Sequence, residues 1–320
     1  MSNPSLRPVA FVTHPVFLEH APHGFHPEHP GRLEAILAHL DRSPLKARLQ
    51  PLEPPLAELL WLHRNHLPAY VAEVQRRVEV GARLLDLGDT YVNERSWEAA
   101  SRAAGAAVVA ADAVVAGRFR AAFCAVRPPG HHAEADRAMG FCIFNNAAIA
   151  ARHLLEAHGV DRVAIVDFDI HHGNGTQHSF YDSERVLYVS THQHPFFFPG
   201  TGDADEIGEG AGRGFTLNVP LPGGTGDRAL LEAYRGPIAD RLRAFGPDVL
   251  VFSAGFDAHE LDPIGGFRVT TRTFGDLTRA VLEACAPSTG GRTLSFLEGG
   301  YHLQALAQSV EEHVTALSES

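Results

Sequence analysis

Asp167, Asp169 and His171 occupy alternate positions where the apolar run 163–166 gives out, so an extended backbone would turn all three side chains the same way. A second apolar run, 249–253, leads into Ala254-Gly255-Phe256-Asp257, which brings another carboxylate to the same edge if both runs are strands of one sheet. Asp169, His171 and Asp257 then make a three-ligand oxygen and nitrogen set. Three protein ligands leave a coordination position open, the condition that separates a hydrolytic zinc site from a closed structural one. Zinc is the expected ion, and iron(II) or cobalt(II) would suit the same donors. Taken singly, each residue reads equally well as a helix cap; taken together, they point to a metal.

The stretch Arg127-Pro128-Pro129-Gly130-His131-His132 follows the run 122–126. Its prolines and glycine force a stiff turn that carries two adjacent histidines to the same edge. Hydrolysis at a metal needs a nearby base that takes a proton from water and returns one to the leaving group, and imidazole fits because its pKa lies near working pH. Each ring also needs a partner on the nitrogen that faces away from the metal, and Asp167 and Asn174 are available for this. Glu298-Gly299-Gly300-Tyr301 ends another run; after two glycines a tyrosine can approach closely and donate its hydroxyl to a developing oxyanion.

Composition supports acid-base or metal chemistry. Histidine accounts for 20 of 320 residues, and imidazole is both the commonest metal ligand and the usual proton shuttle. The only lysine is Lys46, outside any glycine-rich context, which excludes P-loop and Schiff-base mechanisms. No GxSxG elbow is present, and Cys124, Cys142 and Cys285 lie apart in apolar runs, so neither a nucleophilic thiol nor a disulfide framework is expected. A reducing cytoplasm fits these thiols. Residues 1–8 lack a signal-peptide pattern, and no apolar run reaches the roughly 18–20 residues of a membrane span. A formal net charge of −11 repels phosphate backbones and attracts cationic solutes or basic tails. Neither nucleic acid nor membrane is an expected partner; the oligomeric state stays open.

The elements that must hold these residues alternate. Strand-like runs at 9–13, 122–126, 162–168, 186–190, 215–219, 249–253 and 293–297 are separated by helical spacing at 31–40, 68–80, 96–115, 145–157, 227–245, 271–284 and 303–317. This predicts an α/β chain built on a mostly parallel sheet with helices on both faces and ligands at the carboxyl ends of the strands. No linker or repeat divides residues 1–320, which read as one domain.

The motifs RPPGHHA (127–133), GFCIFN (140–145), DFDIHHGNG (167–175), FFPGTGD (197–203), SAGFD (253–257) and EGGY (298–301) resemble the histone deacetylase family. The likeness is strongest to its class II and bacterial amidohydrolase-like branch, which includes acetylpolyamine hydrolases. The resemblance implies a single deacetylase domain with an eight-stranded sheet of the arginase/deacetylase type. The implied activity is zinc-dependent hydrolysis of acetyl-lysine or a related N-acetylated amine. Asp169, His171 and Asp257 would be the ligands, His132 the main base and acid, and His131 the stabiliser of charge. Asp167 would orient His131, Asn174 would face His132, and Tyr301 would polarise the acyl carbonyl. Gly140, Phe141 and Phe198 would wall a tunnel for the substrate's aliphatic arm, with Asp89 on its rim. The family's structural potassium would lie against Asp167, Asp169, His171 and Ser190, and a second ion near Phe180, Ser183 and Val186.

Two positions depart from the pattern. His302 follows the tyrosine where asparagine is common. Ile264 stands where the acetylpolyamine-preferring eukaryotic branch has a glutamate, which favours acetyl-lysine while keeping an acetylpolyamine substrate as the alternative. A ureohydrolase of the arginase type would need a second metal-bridging carboxylate, but the run from Asp257 to Pro263 has His259 in its place. A non-catalytic binder of acylated ligands is the remaining rival.

Overall fold

The computed structural model describes residues 7–319, so the reading made on residues 1–8 lies almost wholly outside the described residues. Among the described residues the strands are β1 (Val9–Val12), β2 (Leu49–Leu52), β3 (Ala121–Cys124), β4 (Val163–Asp167), β5 (Val186–Gln193), β6 (Thr216–Leu221), β7 (Val249–Ala254) and β8 (Thr293–Leu297). The helices are α1 (Val16–Glu19), α2 (Gly31–Arg42), α3 (Leu59–His63), α4 (Pro68–Glu79), α5 (Ser96–Val115), α6 (Asn146–Ala157), α7 (Asn174–Ser179), α8 (Asp227–Ala233), α9 (Ala239–Phe245), α10 (Thr271–Thr289) and α11 (Leu303–Glu319).

The strands form one sheet in the order β2-β1-β3-β8-β7-β4-β5-β6, and every pairing is parallel. Strands β3, β4, β7 and β8 are buried end to end. They read as unbroken apolar runs rather than as alternation because both faces of a parallel sheet are covered. Neighbours in β3 show the two covers. Phe123 meets the ring of His313 on α11 at 5.9 Å, while the Cys124 thiol faces the Ala106 carbonyl on α5.

The chain leaves β4 towards β5 on one side and leaves β7 towards β8 on the other. The crevice between their carboxyl ends is therefore the switch point at which open α/β sheets bind ligands. Register places Asp167 opposite Ser253 across that crevice and opposite Ser190 on the other flank.

The short helices α1, α3 and α7 are absent from the sequence reading, being of four to six residues and too short to show a helical period, and two further elements differ from it. Strand β2 is absent from it, because Leu49-Gln50-Pro51-Leu52 breaks its apolar ends with a glutamine and a proline and is partly exposed; a proline-bearing strand is tolerated on an edge, where this one lies. The helix expected over 227–245 is two helices, α8 and α9, joined by a wide turn at Tyr234–Ile238 where Gly236 leaves helical geometry and Pro237 removes a donor. No helix among the described residues is long and apolar enough to cross a membrane.

Candidate active site

Strand β4 ends at Asp167, and the chain then bends. The three alternate residues consequently do not share one direction, as an extended backbone would have required. Asp167 turns beneath the histidine loop, its Oδ2 lying 3.1 Å from His131 Nδ1 and accepting the Tyr188 hydroxyl at 3.3 Å. Asp169 and His171 face the crevice and meet Asp257 from the end of β7. His171 Nδ1 lies 2.9 Å from Asp169 Oδ1 and 3.1 Å from Asp257 Oδ2, and one donor atom from each of the three falls within 4.8 Å of the others.

These three residues fit a divalent cation. Both carboxylates are fully buried, and the Asp257 carboxyl is pushed up by its burial and then by the neighbouring Asp169 charge. Excess negative charge converging on one buried point is what a bound cation relieves. The outer oxygens are held by main chain: Asp169 Oδ2 accepts the Gly299 N–H at 2.8 Å and Asp257 Oδ1 the Ile170 N–H at 2.9 Å. Bare backbone is needed on this floor. A Cβ on Gly255 would stand 2.1 Å from Asp169 Oδ2, and one on Gly299 would stand 2.2 Å from Asp257 Oδ2.

The two histidines are chemically unlike although adjacent, their rings 3.9 Å apart. Burial disfavours a charged His131, yet Asp167 and Asp169 outweigh it and raise the ring to about 10. His132 is driven well below its usual value by burial and then by the charges of His131 and His171. The Asp167 carboxylate thus favours the charged form of His131, while burial and its neighbours favour the neutral form of His132. His132 Nδ1 lies 2.7 Å from Asn174 Oδ1, which makes Nδ1–H the donor and leaves Nε2 with a free lone pair.

A cavity of about 210 Å³ opens onto this group, and it is lined by all five expected substrate-binding residues, Asp89, Gly140, Phe141, Phe198 and Ile264, together with Tyr301. Gly140 and Phe141 both adopt left-handed backbone, with φ 55° and 70°. Gly140 must be glycine, because a Cβ there would lie 2.5 Å from the His132 ring. Phe141 is strained by its positive φ and is held by its N–H on Thr90 Oγ1 at 3.2 Å. Its ring meets Tyr301 edge-on at 6.0 Å. The Tyr301 phenol is kept well above its usual range, first by burial, so it stays a proton donor.

The structure also shows roles that the motifs did not suggest. Glu298 Oε2 accepts the N–H groups of Gly130 and His131 at 2.7 and 3.1 Å, and Oε1 accepts the Ser253 hydroxyl. Its carboxyl is raised to about 7, chiefly by burial. This clamp ties β7, β8 and the histidine loop together; its only sequence signal was a carboxylate at the end of a buried strand. Phe197, beside Phe198, stacks on the His171 ring at 4.9 Å.

The positions flagged for departure or rivalry are also placed. His302 sits at the start of α11, where its Nδ1 accepts the Ala305 N–H at 3.3 Å. His259 is turned to Thr271 Oγ1 at 3.0 Å, and Asp262 is spent on the N–H groups of Ile264, Gly265, Tyr301 and His302. Neither joins the ligand cluster, so the second-metal geometry of a ureohydrolase is not assembled. For the suggested ion sites, Ser190 Oγ lies 2.9 Å from His192 Nδ1, and Phe180, Ser183 and Val186 bracket the turn into β5, with the Ser183 N–H on the Phe180 carbonyl.

Comparison with known proteins gives one consistent result. The histone deacetylase domain model matches residues 26–317. A rice protein named histone deacetylase 10, chloroplastic, is 39% identical over 90% of this chain and 68% of its own length. The histone deacetylase-like amidohydrolase of Pseudomonas aeruginosa is 41% identical over 88% of this chain and 73% of its own. The crystal structure of the HDA15 HD domain superposes with a TM-score of 0.91 at 38% identity, covering 97% of this chain and 88% of that one. The chain spans about half the length of two Arabidopsis relatives, 55% and 52%.

Proposed function

The chain belongs to the histone deacetylase family, and from that premise we propose that it is a single-metal amidohydrolase, organised as one domain, that removes the acetyl group of acetyl-lysine or a related N-acetylated amine. The observation that carries this reading is geometric: a buried two-carboxylate, one-imidazole cluster shares a single cavity with two adjacent histidines, one set against a carboxylate and the other against an amide.

A divalent cation held by Asp169, His171 and Asp257, zinc in the first instance and iron(II) or cobalt(II) as alternatives, would polarise the acyl carbonyl and acidify water. His132 accepts the water proton at Nε2 and later returns it to the departing amine. His131, held by Asp167 through its Nδ1 at 3.1 Å, would offset the negative charge that develops beside it. The Tyr301 hydroxyl donates to the oxyanion. Phe141, Phe198 and Gly140 present apolar faces to the substrate's aliphatic arm, and exposed Asp89 at the rim takes up its amide N–H groups or a positive charge.

Ile264 on the cavity wall provides no carboxylate for a second ammonium group, which favours acetyl-lysine over acetylpolyamines. Structural potassium at Asp167, Asp169, His171 and Ser190 would steady the end of β4, with a second ion at Phe180, Ser183 and Val186. Three buried free thiols suit a reducing compartment such as the cytoplasm.

The test is acetate release from an acetyl-lysine peptide, acetylputrescine and acetylspermidine by the metal-loaded protein. The peptide should turn over fastest, chelation should abolish turnover, and zinc, iron(II) or cobalt(II) should restore it. Chelator-resistant hydrolysis, urea release from guanidino compounds, or binding without acetate release would overturn the reading.

A further inference from the structure

An asparagine facing a catalytic histidine raises a difficulty that an aspartate would not. A carboxylate only accepts, so it forces Nδ1–H on the ring. An amide can present either its oxygen or its NH₂ group, and the second orientation places the proton on Nε2, where His132 could no longer act as a base. Something must choose between the two orientations.

The structure assigns that choice to Glu134, which we infer to be a positioning residue for His132. The Asn174 Nδ2 group donates to Glu134 Oε1 at 2.5 Å, with weaker contacts to the His132 carbonyl at 3.3 Å and the Met139 sulfur at 3.6 Å. Every acceptor therefore lies on one side of the amide, which turns Oδ1 to His132 Nδ1 at 2.7 Å. Glu134 is itself fixed. Its side chain is 7% exposed, and its oxygens lie 2.8 and 2.9 Å from His178 Nδ1. Arg137 stands 3.7 Å away.

The backbone of Glu134 is locked as well. Its N–H donates to the Arg137 carbonyl at 3.0 Å. Its carbonyl accepts from His66 Nδ1 at 2.8 Å, while His66 Nε2 accepts the Asn145 N–H at 2.9 Å. His178 and Arg137 favour the ionised carboxylate, which can only accept and so cannot support the reversed amide. The order runs from Glu134 to the Asn174 amide, then to the His132 proton, and last to a free Nε2.

This inference rests on the reading of His132 as the base, and the test separates the two. Glu134→Gln can donate as well as accept, so it releases the constraint. kcat should fall about 10- to 100-fold, the range for orienting partners of catalytic groups, with KM within about threefold. Asn174→Asp alone sets its carboxylate against Glu134 and should also lose activity. Combining Glu134→Gln with Asn174→Asp lets the new amide donate its NH₂ to the new carboxylate and restores an acceptor-only partner for Nδ1. This double variant should regain kcat to within about threefold of the parent.

Rescue of two damaging changes by combining them is not the behaviour of a merely structural pair. The independent readout is ¹⁵N NMR of histidine-labelled, zinc-loaded protein. The parent should show His132 protonated at Nδ1 only, and Glu134→Gln should show mixed tautomers. An unchanged tautomer in Glu134→Gln, a parent protonated at Nε2, or a double variant no better than the singles would overturn the inference. If the variants do not fold, the parent tautomer decides the matter. Absence of acetate release by the parent would overturn the function instead, leaving the tautomer measurement intact.

Discussion

Two clusters in this molecule crowd histidine against aspartate equally closely, yet they are different objects. At the switch point, His171 Nδ1 lies 2.9 and 3.1 Å from two carboxylate oxygens. Between α5 and α6, His153 Nε2 and His158 Nε2 both lie 2.7 Å from Asp112 Oδ1. Each group brings three donor atoms within 4.8 Å of one another.

Their protons distinguish them. The Arg64 guanidinium donates to His153 Nδ1, so that ring carries its hydrogen on Nε2 and gives it to Asp112; its lone pair is already taken. One carboxylate shared by two imidazole donors is satisfied, and despite burial those hydrogen bonds hold Asp112 below the usual carboxylate range. In the first cluster two buried carboxylates compete for one imidazole: Asp169, against burial, is held down by His131 and His171 much as Asp112 is by its histidines, but Asp257 moves the opposite way, by burial and then by the Asp169 charge. Donor proximity is common. Two buried carboxylates sharing one imidazole at the floor of a cavity, one of them raised by the other's charge, are what suits a metal.

The largest effect that would break this contrast is at the ligands. Asp257→Asn should remove the bound ion and reduce turnover by at least about 10³-fold, whereas Asp112→Asn should leave one ion per chain by elemental analysis. Two ions in the parent, one of them lost with Asp112, would erase the distinction. The next effect concerns the donor that faces only the first cluster. Tyr301→Phe should lower kcat about 10²- to 10³-fold, by analogy with other oxyanion donors, with a small change in KM. Near-parental kcat would remove Tyr301 from the reaction.

Smaller effects belong to the helix cluster. His153 is held below its usual 6.5, burial outweighing the pull of Asp112. The stability gained by keeping its ring neutral is complete above that value and drains away as pH falls below it. Unfolding free energies measured between about pH 7 and 5 should therefore decline less steeply in His153→Gln; an unchanged slope would count against the assignment. Asp112→Asn should cost only roughly a few tenths of a kcal/mol, since half of the Asp112 side chain is exposed and solvent screens its pairs. kcat should be unaffected, and a loss above about twofold would show that the cluster is coupled to the site.

The grouping of Asp169, His171 and Asp257 was legible in the sequence because each follows an apolar run, and parallel strands end at one edge. The histidine pair was legible because Pro128, Pro129 and Gly130 mark a rigid turn. What could not be read was the direction of side chains once the strands stop. The three alternate side chains do not share one direction because β4 ends at Asp167 and residues 168–171 are not extended; the role of Asp167 as partner of His131 was nevertheless expected. The roles of Glu298 and Glu134 were hidden for a related reason: Glu298 stood in the EGGY motif, yet each acts on groups distant in the chain, and nothing local says which remote loop or amide a carboxylate holds. Strand β2 was illegible because Gln50 and Pro51 do not look apolar, and as an edge strand it did not need to be.

The floor beneath the ligands has a consequence for how this enzyme can diversify. Gly255 and Gly299 leave no volume beside Asp169 and Asp257, so a side chain gained at either place collides with a ligand carboxylate. Innovation at the bottom is closed. Any change in what the enzyme accepts has to be written in the loops at the mouth, around Asp89 and Ile264, because Phe198 already packs on the His132 ring at 5.0 Å.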